Sequence, residues 1–283
     1  MNTDTNALVI GGSGGVGGAL VQELLERGCR VRVSSRAPEA QKWPAGVEPV
    51  HGDLEQPASI RAAAAGIEAV FLYVQGRAPQ IVKELRAAGV KRVTVLSTID
   101  TTNDSPVAAY NRRRHLEFEE AVADAGFAFT CLRPGAFVGN ALRFFTPQLA
   151  TGNVVRLPFP DSRQAPIDVR DIARVAAIAL TSERLDGQRP VLTGPDSLSQ
   201  REQVMTLGKL LGRPLEIETE RVEAARARLL ERIPPRYVEL LLGQWEEETR
   251  LPAFISPEVA RITGRPPTAY SEALAWALAQ RDS

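Results

Sequence analysis

The chain is poor in the residues that build metal centres and disulfide frameworks. Its 283 residues include two histidines, His51 and His115, and two cysteines, Cys29 and Cys131. Two histidines are too few for a His-rich metal site, and no metal site is expected. The cysteines fall at a strand edge and in a strand, where they read as small buried hydrophobes rather than a disulfide or a metal pair. Net charge is also missing: 34 basic residues balance 34 acidic ones. No global field therefore favours nucleic acid or an anionic membrane surface, and neither is expected as a partner. No apolar run reaches the ~18 residues needed to span a bilayer. The opening Met-Asn-Thr-Asp-Thr-Asn has neither a basic region nor an apolar core, so no secretory leader is expected and the protein reads as cytoplasmic. What remains, 44% hydrophobic and 24% charged residues, suits one large α/β domain or a nucleotide domain carrying a smaller lobe.

Against these absences, glycine is concentrated at one place. Ala7-Leu8-Val9-Ile10 is a short apolar run with the pattern of a buried parallel strand, and Gly-Gly-Ser-Gly-Gly-Val-Gly follows it over 11–17. Val16, Leu20, Val21, Leu24 and Leu25 then recur at helical spacing. Gly11, Gly14 and Gly17 give one register, G-x-x-G-x-x-G; Gly12, Gly14 and Gly17 give another, G-x-G-x-x-G. Either way, glycines allow a tight strand-to-helix turn, let backbone N–H groups approach a pyrophosphate, and aim a helix N-terminus at its charge. Gly11, Ser13, Gly14, Gly15, Val16 and Gly17 are therefore candidate dinucleotide contacts.

Strand and helix alternate from there. Arg30 to Ser34 reads as a second strand and ends at Ser35-Arg36. Enzymes that select NAD place a carboxylate at this point for the ribose 2′-hydroxyl; a guanidinium instead suits a 2′-phosphate, with Ser35 adding a hydroxyl donor, so NADP(H) is the expected cofactor. Val47 to His51 is a third strand before Gly52-Asp53-Leu54, where Asp53 and Leu54 suit the adenine, Asp53 equally suiting a plain turn. Ala69 to Val74 is a fourth strand, ending at Gln75-Gly76. Arg92 to Leu96 is a fifth, ending at Ser97. A long helix is predicted over 107–125, a sixth strand over 127–132, and then Pro134, Gly135, Ala136 and Phe137 turn the chain along the same edge. This alternation forces parallel strands with right-handed crossovers, hence an α/β doubly wound sheet whose ligands lie beyond the strands' C-terminal ends. Val74, Gln75, Gly76 and Ser97 all fall at that edge. Further on, Asp168 is a predicted N-cap and Ser199-Gln200-Arg201-Glu202 a capping box. The expected organisation is a Rossmann-type dinucleotide domain over 1–155, with 165–193 returning to it, and a mostly helical substrate lobe over 194–283.

These motifs, with Leu132-Arg133-Pro134-Gly135, Asp168-Val169-Arg170-Asp171-Ile172-Ala173, Leu192-Thr193-Gly194-Pro195 and Gly212-Arg213-Pro214, follow one another in an order that resembles the atypical short-chain dehydrogenase/reductases of the NmrA-like, NAD(P)H-binding group. The resemblance spans nearly the whole chain. It implies NADPH-dependent reduction of quinones, azo compounds and other conjugated electrophiles, or a dinucleotide sensor without turnover. Typical short-chain reductases carry a serine after the fifth strand and Tyr-x-x-x-Lys on the next helix. Ser97 and Tyr110 stand in roughly those places, but Arg114 replaces the lysine, keeping its charge and losing its exchangeable proton. A shift of one residue aligns Asn111 and His115 instead. Tyr110 as proton donor, His115 acting on cofactor or substrate, and neither of them all stay open, with Ser97 and the backbone near Gly135-Ala136 as oxyanion donors.

The expected activity is hydride transfer from NADPH to a fairly apolar, conjugated small molecule such as a quinone, enone or polyketide-like ketone. The apolar preference rests on the stripe Leu229, Leu230, Tyr237, Leu240, Leu241, Leu242 and Trp245, which at helical spacing forms either core or pocket wall. The alternative is an NADP(H)-binding redox sensor acting through a protein partner. A sugar-nucleotide epimerase is weaker, because it wants the intact Tyr-x-x-x-Lys.

Overall fold

The computed structural model describes residues 5–150 and 152–280. The chain begins as the apolar runs predict: β1 (Asn6–Ile10), α1 (Gly15–Glu26), β2 (Arg30–Ser35), β3 (Val47–His51), α2 (Pro57–Ala63), β4 (Ala69–Tyr73), α3 (Ala78–Ala87), β5 (Arg92–Leu96), α4 (Ala109–Asp124) and β6 (Ala128–Pro134). It continues through α5 (Asn140–Phe144), β7 (Val154–Leu157), β8 (Arg163–Gln164), α6 (Val169–Thr181), β9 (Val191–Leu192), β10 (Leu198–Ser199), α7 (Gln200–Leu210) and β11 (Glu216–Thr219). Four helices close it: α8 (Val222–Leu230), α9 (Pro235–Glu247), α10 (Glu258–Thr263) and α11 (Tyr270–Ala279).

Seven strands form one parallel sheet in the order β3-β2-β1-β4-β5-β6-β9. The chain winds outward through β2 and β3, then crosses to the other side of β1, so the switch point lies between β1 and β4. Period two divides β1 between two cores: Ala7 and Val9 pack beneath α1 and α6, Leu8 and Ile10 beneath α2 and α3. Both faces are covered, which is why the strands read as continuous apolar runs. β6 runs two residues past its predicted end, because Arg133 and Pro134 find partners in Val191 and Leu192 of β9.

A third core joins α5, α7, α8, α9 and α11 into a lobe, with Phe144 and Trp245 packed edge to face at 5.4 Å. β7 pairs in parallel with β11, and β8 antiparallel with β10. Asp168 caps α6 through Arg170 N–H at 2.8 Å, and Ser199 and Glu202 close the capping box of α7. Among the described residues no helix is long and apolar enough to cross a membrane, and no cluster of His, Cys, Asp and Glu could hold a metal ion. Both cysteines are free and buried.

Candidate functional site

The glycine turn is shaped by close approach. Gly11 has φ +83°, and its carbonyl accepts the Gly14 N–H at 3.0 Å. A Cβ on Gly17 would lie 2.2 Å from that same carbonyl oxygen, and one on Gly12 2.4 Å from Val33 Cγ1. Both glycine registers are thus in use: Gly11, Gly14 and Gly17 make the turn, while Gly12 lets β1 sit against β2. Gly14 is the N-cap of α1 and offers no side-chain bond. The first amides of the helix, on Gly15, Val16 and Gly17, accordingly have no partner inside it. Val16 buries its side chain in the core, leaving its backbone at the mouth.

Beside this mouth lies a cavity of about 430 Å³ between the tips of β1, β2, β3 and β4. Gly11, Ser13, Ser35, Arg36, Asp53, Leu54 and Gln75 line it, all singled out above. Arg36 is exposed and makes no hydrogen bond or ion pair among the described residues. Asp53 serves its own turn, accepting the Glu55 N–H at 3.0 Å, and still faces the cavity. Gly76, at φ +71°, passes so close to Leu54 that a Cβ would lie 2.3 Å from the Leu54 carbonyl oxygen. Tyr73, the last residue of β4, also lines the cavity and was not foreseen. Burial pushes its phenol up, Arg36 pulls it down, and Asp53 and Glu55 push it up again. Its signal in the sequence is a single polar tip at the end of an apolar strand.

The helix α4 settles which side chains meet Ser97. Ser97 is buried and donates to Glu119 Oε1 at 2.6 Å, while its Oγ lies 3.4 Å from His115 Nδ1. Glu119 is itself clasped by Arg133 at 2.6 and 3.0 Å and by Arg189 at 3.1 Å. With the Ser97 proton given to Glu119, Oγ turns a lone pair toward Nδ1. His115 therefore carries its proton on Nδ1 and leaves Nε2 bare. Burial, then the Arg114 charge, push the imidazole down to about 4, with Glu119 opposing, so it is neutral at pH 7. Arg114 reaches the Val74 carbonyl at 3.4 Å, whereas Arg112 ties to the loop carbonyls of Asn103 and Ser105 and Arg113 is exposed. Tyr110 is not brought to Ser97: no hydrogen bond joins them. Its ring is 45% exposed, in a groove with Leu116 and Glu117, with the Arg236 guanidinium 5.9 Å from its centroid. The inward face of α4 is instead Asn111, His115, Phe118, Glu119 and Val122, set by the helical period.

A second cavity, of about 370 Å³, opens between the sheet edge and the lobe. Gly135 and Ala136 form its floor; Ile99, Leu251 and Phe254 supply apolar wall. Pro134 stays in β6, and Phe137 packs against the α1–α6 core. Three carboxyl groups line this cavity, those of Asp100, Glu247 and Glu248. Asp100 accepts from Asn111 Nδ2 at 2.5 Å and Gln244 Nε2 at 3.0 Å, and burial holds it above the usual carboxylate range. Glu248, the C-cap of α9, accepts from Ser162 Oγ at 2.9 Å and Gln164 Nε2 at 3.0 Å. The apolar stripe of α8 and α9 does not line the cavity. Leu229, Leu242 and Trp245 bury in the lobe's own core, and Leu230 is exposed, because the remaining lobe helices offer the larger apolar surface. Only Gln244, Glu247 and Glu248, at the polar end of α9, reach the cavity wall.

Comparison with known proteins agrees with this geometry. The profile of a family described as NAD(P)H-binding matches residues 11–183. A (4-alkanoyl-5-oxo-2,5-dihydrofuran-3-yl)methyl phosphate reductase of Streptomyces griseus is 34% identical over 265 residues, covering 92% of this chain and 93% of its own. An NAD(P)H azoreductase of Xenophilus azovorans is 31% identical, covering 94% of this chain and 95% of its own. The crystal structure of an NADPH-dependent quinone oxidoreductase of Escherichia coli with NADPH superposes with a TM-score of 0.78 at 21% identity, over 96% of this chain and 99% of that one. With the seven-stranded sheet, the glycine turn and the unpaired arginine at the tip of β2, these matches make the chain a member of the NmrA-like, NAD(P)H-binding family of oxidoreductases.

Proposed function

We propose that this oxidoreductase uses NADPH to reduce a conjugated small molecule, a quinone, enone or polyketide-like ketone, held in the cavity over Gly135 and Ala136. The reading is carried by Arg36, a guanidinium without a protein partner that lines the cavity beside the uncapped start of α1. Gly11, Gly14 and Gly17 hold the turn tight against its own backbone and the Tyr73 ring, and the uncapped amides at the start of α1 would receive a pyrophosphate. Ser35 and Arg36 hold the 2′-phosphate, Asp53, Leu54 and Tyr73 flank the adenine, and Val74, Gln75 and Gly76 pass along the dinucleotide. When bound, the cofactor supplies hydride to the acceptor. Arg114 and His115 turn toward the cofactor's sugar, His115 through its bare Nε2. The division of labour that follows gives the seven-stranded sheet, with α10 packed on it, to the cofactor, and the lobe, which takes in α5 and β7 as well as α7–α9 and α11, to the acceptor. The Streptomyces and Xenophilus relatives, named for reduction of an alkanoyl-oxo-dihydrofuran and of azo compounds, support a conjugated acceptor.

The test mixes the protein with NADPH and a panel of quinones and enones. Loss of NADPH absorbance with matching formation of reduced acceptor is expected. The absence of Tyr110 from the Ser97 cluster favours a second reading, a dinucleotide sensor; tight NADPH binding with no consumption on any acceptor would select it.

A further inference from the structure

Hydride transfer to a conjugated carbonyl leaves negative charge on oxygen, and the cluster around Ser97 has no proton to spare. The Ser97 hydroxyl is committed to Glu119, His115 is neutral with its one proton directed at Ser97, and Tyr110 lies outside. A donor must come from elsewhere in the acceptor cavity.

We propose that Glu248 is that donor, its Oε1–H giving a proton to the acceptor oxygen as hydride arrives at carbon. The inference rests on the reductase reading above. Three features carry it. Glu248 lines the same cavity as Gly135 and Ala136. Ser162 and Gln164 both donate to Oε2, so the proton sits on Oε1, which meets only a 3.3 Å contact from the Gln164 amide. Its backbone is pinned, the Glu248 carbonyl accepting the Arg163 N–H at 3.0 Å.

The charged groups around it leave it unpaired. From the turn after β5 comes Asp100, occupied by Asn111 and Gln244; from α9 comes Glu247, which accepts from Ser105 Oγ at 2.6 Å. From β8 comes Arg163, whose guanidinium turns away to Ser197 and Glu202 at 2.9 and 3.0 Å. Burial first, then the charges of Asp100 and Glu247, push the carboxyl from 4.5 up to about 7, although Ser162 and Gln164 pull it back. An acid with that value is half loaded at neutral pH, where a proton donor works best. The balance is simple. NADPH is oxidised to NADP⁺ as the acceptor gains two electrons with hydride at carbon. The Oε1–H bond breaks, an O–H bond forms on the acceptor, and one proton taken up from solution reloads the carboxylate.

The test compares wild type with Glu248→Gln and Glu248→Asp by NADPH titration, by the pH dependence of kcat/KM on an enone, and by thermal unfolding of the free protein near pH 5 and near pH 8. Glu248→Gln should bind NADPH like wild type, lose on the order of 100-fold in rate, and lose the fall in rate that wild type shows above about pH 7. Glu248→Asp, which keeps the acid one methylene back, should recover part of the rate. The unfolded chain ionises this carboxyl above 4.5 while the fold holds its proton to about 7, so wild type loses stability across that window, and Glu248→Gln should gain in Tm over wild type far more near pH 8 than near pH 5. Wild-type rate and pH profile in Glu248→Gln overturn the proposal. No turnover by wild type on any acceptor instead overturns the reductase reading beneath it.

Discussion

Arg36→Ala tests the cofactor end, because the structure isolates what that side chain can contribute. The guanidinium lines the cavity at the tip of β2 and is tied to no carboxylate among the described residues, so removing it breaks no internal ion pair. A fork-like pair of hydrogen bonds to a 2′-phosphate is charge-assisted, each bond contributing roughly 1.5–3 kcal/mol. Arg36 is exposed, so water competes and the lower end applies, about 2–3 kcal/mol for the pair. At 1.4 kcal/mol per decade, NADPH should bind about 30- to 140-fold more weakly. NADH lacks the phosphate and should be held about as before. Arg36→Asp should go further, since a carboxylate ~4 Å from phosphate adds about 1 kcal/mol of repulsion even in water. Calorimetric titration of both variants with NADP⁺ and NAD⁺ at low and moderate salt measures this. The wild-type preference should shrink as the Debye length shortens. Equal losses for both dinucleotides would refute the reasoning, because the arginine would then be reading something they share.

Other parts of the site give sharper thermodynamic readouts. Glu119→Gln leaves Arg133 and Arg189 without their carboxylate in a buried place, and denaturant unfolding should show a loss of about 3–5 kcal/mol. Gly17→Ala puts a methyl 2.2 Å from the Gly11 carbonyl oxygen; the turn must open, lowering stability by about 1–3 kcal/mol and weakening dinucleotide binding in the same titration. For His115 the folded pKa lies below the unfolded one, so the unfolded chain takes the proton first and wild type loses stability as pH falls from 6.5 through about 4. Urea unfolding across that range should show a loss of up to about 3 kcal/mol that is absent in His115→Asn.

How much of this could be read in advance follows from how far each feature's partners lie along the chain. The parallel strands were legible because burial on both faces writes itself locally, as in Leu8-Val9 and Val70-Phe71-Leu72. The glycine turn was legible for the same reason: Gly11, Gly14 and Gly17 constrain one another within seven residues, and Arg36 follows from strand β2 alone. The pairings β7–β11 and β8–β10 were not: β11 is legible as a short strand from the alternation over 214–218, but its partner and those of the other short strands lie tens of residues away. The Ser97 cluster lies between these limits. A serine at a strand tip and a helix after it were visible, but a rotation of one residue on α4 decides between Tyr110 and His115, and packing of Phe118 and Val122 on the sheet sets that rotation. The second cavity, between sheet and lobe, is the extreme case. Asp100 meets Gln244 across 144 residues, and Glu248 meets Ser162 and Gln164 across 86 and 84. No window of sequence holds both partners, and a glutamate ending a helix otherwise reads as solvated surface. The cofactor end of such a fold is thus written in short-range geometry. The groups lining the second cavity come together only where the lobe packs on the sheet, and so are specified by long-range packing.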